Sequence, residues 1–151
     1  MAIGNTKLHQ LIRNIKGLND LVAWYSIFDG ETKVKILDLI REDQLRQKGV
    51  NAEGDVIGFY SYTTELISNG EKQEGTPYTF YDTGEFYRSM YMVILSDSVV
   101  FEADPIKGDD NLFDKYGSNI LNLTTQSREK MKEFLIKNYR EYVRKQIFRA
   151  L

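Results

Sequence analysis

Asp82, Thr83 and Gly84 stand in the stretch YTFYDTGEFYRSM, residues 78–90. In aspartic proteases an Asp-Thr-Gly tripeptide carries the catalytic carboxylate. That chemistry needs two carboxylates sharing one proton, so a chain with one copy must dimerise to use it. Glu85 follows directly, and a third acid would crowd such a dyad. The apolar segment SNILNLT has Asn122 where a retroviral-type site is helped by glycine. The same tripeptide can instead start a helix. Asp82 or Thr83 offers an oxygen to cap the free N–H groups, and Glu85 then sits in the first turn, where negative charge suits the dipole. Phe86 and Met90, four apart, continue one face. The cap is the reading with more physics behind it; a dimeric aspartic protease through Asp82 is the remote alternative.

Other reactive residue types form no constellation. His9 is the one histidine, placed between Lys7 and Arg13, with no HxxxH or HxxE spacing around it. GVNAEGDVIGFY has a turn glycine at Gly54, but Gly49 and Tyr60 occupy the positions where a calcium loop needs acids. Asp109, Asp110 and Asp114 cluster in a segment that reads as a solvated loop. No phosphate-binding glycine pattern occurs. Cysteine is absent, which removes disulfides, thiol catalysis and cysteine-bound metals. These readings predict a protein that is not an enzyme, with no catalytic, metal or cofactor-binding residues and no cofactor.

Charge is more informative than chemistry. The chain carries a net −2, yet Arg128 to Arg149 holds eight Lys or Arg against three Glu, a net +5. The remainder therefore carries −7. Lys137, Arg140, Arg144, Lys145 and Arg149 are too many for dipole complementation alone, which acts in the last turn. They are candidate interface residues facing an acidic neighbour or nucleic acid. Asn69, Glu71 and Lys72 are further candidates, in the polar, glycine-rich stretch ISNGEKQEG.

The elements that must position these residues follow from periodicity. With 42% apolar residues, 28% charged and two prolines, the 151-residue chain reads as one folded domain, residues 1–151. N-terminal helices are predicted over 5–48. The first is amphipathic through Leu8, Leu11, Ile12, Ile15 and Leu18, and is capped at Asn5 or Thr6. A short buried helix in NDLVAWYSIFDG follows. The third, 31–48, carries Val34, Ile36, Leu37, Ile40 and Leu45 on one face. A sheet core is predicted over 55–104, with a strand in VIGFYSYT and a clear antiparallel hairpin near 90–104, where two apolar runs flank Ser96-Asp97-Ser98. One helical turn is expected near Leu112–Tyr116, and a long final helix over 125–149 with Met131, Phe134, Leu135, Tyr142, Val143 and Ile147 on its stripe. The class is α+β. The longest apolar run, 90–95, is too short to span a bilayer, and no signal peptide is read at the N-terminus.

Two segments carry a resemblance. The first runs into the predicted strand with Gln44, Leu45, Gly49, Gly54, Ile57, Gly58, Tyr60 and Ser61. The second is a Thr-Gly-x-x-x-x-Ser segment matched by Thr83, Gly84, Arg88 and Ser89. Over roughly residues 40–105 the chain resembles the head–tail connector proteins of tailed bacteriophages, the tail-completion, neck or tail-component proteins. The resemblance implies a structural virion protein assembled in the host cytoplasm. It implies a homo-oligomeric ring at the portal–tail junction that contacts the portal and adjacent neck or tail proteins, with DNA in the channel as a further contact and no membrane. A nucleic-acid- or partner-binding module using the basic C-terminal helix is the alternative from a different class.

Overall fold

The computed structural model describes residues 7–149; the cap expected at Asn5 or Thr6 lies outside them. The chain begins with α1 (Lys7–Lys16), α2 (Asp20–Ser26) and α3 (Gly30–Asp38). Asn19 caps α2 by accepting the Val22 N–H, and Asp29 caps α3 by accepting the Thr32 N–H at 2.7 Å. That hydrogen bond holds the Asp29 carboxyl below its usual range. α3 continues without a break as a π-helical segment, Leu39–Arg46. Its backbone hydrogen bonds run i→i+5, a wider turn than the α-helix. Leu39, Ile40, Gln44 and Leu45 are all buried along it.

α4 (Tyr62–Ile67) and α5 (Glu85–Ser89) are short. β1 (Tyr91–Ile94) and β2 (Val99–Glu102) form the expected antiparallel hairpin, with Met92 opposite Phe101 and Val93 opposite Val100. A second, two-residue hairpin, β3 (Ile106–Lys107) with β4 (Asp110–Asn111), precedes α6 (Leu112–Tyr116). A 3-10 turn, Ser118–Leu121, leads into α7 (Thr125–Phe148), capped by Thr124. The architecture is α+β, as its sequence predicts: N-terminal helices, two small antiparallel hairpins and a long C-terminal helix.

One hydrophobic cluster joins Phe28, Ile36, Ile40 and Leu45 to Phe80, Phe86, Leu112 and Ile120. Aromatic rings fill its far side. Phe80 packs against Tyr116 at 5.0 Å and Phe86 at 6.1 Å between centroids. Phe80 itself has φ +55, an uncommon conformation for a bulky residue, held by that packing. Gln44 is a buried polar residue beside this cluster. Its amide donates to Asn122 O and accepts from Thr124 N, both at 2.9 Å, so the approach to α7 is clamped to the π-helical segment.

Four expectations need correction. VIGFYSYT is not a strand. It makes isolated bridges at Val56 and Phe59, and then Ser61 accepts the Thr64 N–H and starts α4. The α2 region is not buried on most sides: within the helix Ala23 is buried, whereas Leu21, Val22 and Tyr25 are exposed. On α3, Val34 points outward. On α1, the buried position belongs to Asn14 rather than to the apolar stripe, and Leu8, Ile12 and Ile15 are exposed. Asn14 donates to Ile147 O at 2.7 Å and to Arg149 O at 3.2 Å. The last carbonyls of a helix lack partners of their own, and a packed amide satisfies them better than an isoleucine can.

Candidate functional site

The Asp-Thr-Gly tripeptide lies before α5, but Asp82 does not cap it. Gly84 occupies the cap position in the left-handed conformation, and no side-chain cap bond is made there. Thr83 Oγ1 receives the Glu85 N–H at a long 3.4 Å. Asp82 is instead placed between Lys72 Nζ at 3.5 Å and Lys107 Nζ at 3.6 Å. The Lys107 ammonium first, then Lys72, holds its carboxyl below the usual range. A proton-sharing dyad needs the opposite shift in one partner. Asp82 serves here as an ion-pair hub between the 68–76 turn and β3.

Arg88 and Ser89 complete the segment. Arg88 reaches back to Thr83 O at 2.9 Å, and Ser89 Oγ accepts the Asp104 N–H at 3.0 Å. The Ser89 bond ties α5 to the residues after the β1–β2 hairpin, and the Arg88 bond holds α5 to the turn before it. The first segment is structural in the same way. A Cβ on Gly58 would lie 2.4 Å from a Tyr78 ring carbon. One on Gly49 would lie 2.5 Å from both Pro77 Cβ and Tyr78 O. Glycine lets residues 49–58 lie directly against 77–78.

That close approach forms the neck of a nub. The Phe59–Pro77 bridge closes it, with Tyr60 N donating to Thr76 O and Gly75 N to Tyr60 O, at 2.9 and 3.0 Å. Residues 59–76 include no buried residue. The nub is anchored by polar groups: the Glu65 carboxylate accepts the Glu74 N–H at 2.7 Å, and Lys72 pairs with Asp82. Asn69 takes a left-handed turn conformation at its tip, and Asn69 and Glu71 are exposed. Lys72, by contrast, turns towards the body. Sequence reasoning identified the exposed turn and missed α4 beside it; Ser61 ahead of Thr63, Thr64 and Glu65 was the available signal.

α7 places Met131, Phe134, Leu135, Asn138 and Tyr142 inward, half-buried. Asn138 secures it by donating to Ile27 O and Thr32 Oγ1, both at 2.7 Å. Near its start, Lys130 pairs with Asp43 at 2.9 Å. Further along, Lys137, Arg140, Arg144 and Lys145 are exposed and form no ion pair with a described residue. Arg149 donates to Gln146. Ile136, Tyr139 and Phe148 are exposed among them.

Among the described residues there is no group of three or more His, Cys, Asp or Glu placed to hold a metal ion, and no helix long and apolar enough to cross a membrane. Comparison with protein-family models, with curated proteins and with solved structures finds no match to this chain.

Proposed function

We propose that this chain is a structural virion protein of a tailed bacteriophage. In this reading it is a non-enzymatic subunit of an oligomeric ring at the portal–tail, or neck, junction, and it serves head–tail joining or tail completion. Its partners are further copies of itself, the portal and the adjacent neck or tail proteins. It assembles in the host cytoplasm and resides in the virion.

The observation that carries the reading is the outer face of α7. Four cations stand there without ionic partners among the described residues, interleaved with exposed Ile136, Tyr139 and Phe148. Apolar residues rimmed by charge suit a protein-binding surface. The residues of the resemblance add support of a different kind. Gln44, Gly49, Gly58, Arg88 and Ser89 all build the frame that presents the nub and the hairpin, which suits a protein whose work is contact.

The test is made in particles. The protein should copurify with intact virions in a fixed, ring-sized number of copies, and particles lacking it should fill with DNA but fail to join tails. Arg140→Glu with Arg144→Glu should leave unfolding nearly unchanged, because exposed charges contribute at most about 1 kcal/mol each. It should also reduce incorporation into particles. Normal joining without the protein would remove this reading.

The second reading, a nucleic-acid-binding module, is favoured by the spacing of Lys137, Arg140 and Arg144 along one side of α7. It requires duplex affinity that falls steeply with salt.

A further inference from the structure

Two groups of exposed apolar residues stand at places of opposite charge. The first is the nub. Phe59, Tyr62, Leu66 and Ile67 are 56, 58, 59 and 79% exposed, an unusual load for a unit that contributes nothing to the core. Tyr62 and Leu66 lie one turn apart on α4. The same segment carries Glu65, Glu71 and Glu74, and Lys72, the one cation of the nub, is drawn away to Asp82. From Val50 to Gly75 there are five acids and one base.

The second place is the end of the molecule where α1 meets the close of α7, joined through Asn14. α1 exposes Leu8, Ile12 and Ile15 at four- and three-residue spacing, and α7 exposes Phe148. The charge here is predominantly basic. α1 carries Lys7, Arg13 and Lys16 and no acid, and the end of α7 carries Arg144, Lys145 and Arg149 with Glu141 beside them. Among the described residues no hydrogen bond or ion pair joins the nub to this end.

We infer that the acidic nub of one copy docks on the basic α1–α7 end of the next, a head-to-tail contact between copies of this chain. An apolar patch with an acidic rim and one with a basic rim match each other in both respects, and each mismatches itself. The occupant is therefore a second copy in a heterologous arrangement, which closes into a ring when the rotation allows. A two-fold dimer that pairs like patches would set acid against acid. The inference rests on the ring reading for its biological setting, and on the two surfaces alone for its chemistry.

The experiment uses full-length protein in analytical ultracentrifugation at low salt. Variant A carries Arg144→Glu and Lys145→Glu; variant B carries Glu71→Lys and Glu74→Lys. Wild type should gain mass with concentration. A and B alone should each associate at least about tenfold more weakly, from two reversed charges. Mixed in equal amounts, A still offers an intact nub and B an intact basic end. The mixture should recover association lost by either variant alone, because A's nub meets B's basic end and the two reversed surfaces again carry opposite charge. Ile67→Ser, which alters no charge, should also weaken association, and melting curves check that every variant is folded.

Wild type that stays monomeric, or that binds duplex DNA through the basic end in place of a second copy, would overturn the inference. So would a mixture that recovers no association. Rings that survive A, B and Ile67→Ser would discard this interface and leave the ring reading standing. Head-to-tail chains formed by a protein absent from virions would do the reverse.

Discussion

At the scale of single residues, Gln44 and Asp82 make opposite kinds of polar contact. Gln44 is buried with donor and acceptor both used. Gln44→Ala should cost about 2 kcal/mol in chemical denaturation, from two lost bonds in a dry site. Gln44→Glu can still accept from Thr124, but only its protonated form can donate to Asn122. Its destabilisation should therefore be larger at pH 8 than at pH 5. Asp82 is half-exposed, and its depressed folded pKa fixes the sign of its effect. Its pairs with Lys72 and Lys107 stabilise the fold above the unfolded carboxylate value of about 3.9 and are lost as pH falls through the folded one. Asp82→Asn should cost at most about 1 kcal/mol near neutrality and nothing in strong acid. A cost that persisted unchanged in acid would contradict the ion-pair role.

The nub and its neck set the expectations at the scale of elements. The turn has no buried residue, so shortening it across Asn69–Glu74 should preserve cooperative unfolding, with a loss of about 1 kcal/mol from the Glu65 and Lys72 anchors. Loss of cooperative unfolding would show that the turn belongs to the core. The neck should be less forgiving. Gly58→Ala drives a methyl into the Tyr78 ring, which packs on Tyr60 and Tyr116, and should cost about 2 kcal/mol. The elements also differ in how far the sequence discloses them. α7 is legible because its stripe persists over many turns, and the β1–β2 hairpin because two apolar runs flank a tight turn. α4 is hidden by the β-rich composition of Val56 to Tyr62, where one serine cap outweighs strand propensity. α1 is legible as a helix but not in its orientation. The partner of Asn14 lies 133 residues away at the end of α7, and no local pattern reports it.

For the whole molecule, the separation of charge is plain in the sequence, but the place where acids meet exposed apolar residues is not. The excess of −7 outside Arg128 to Arg149 is spread along the chain, and the closure at Phe59 and Pro77 gathers part of it onto the nub. In the reading we propose, the acidic nub of one copy meets the basic α1–α7 end of the next, and the ring is the closed form of that association. Electron microscopy of the purified protein, alone at high concentration and mixed with the portal protein of the same genome, tests this most directly. The account predicts closed rings of one copy number, seated coaxially on the portal. Monomers that form no rings and fail to bind the portal would contradict it.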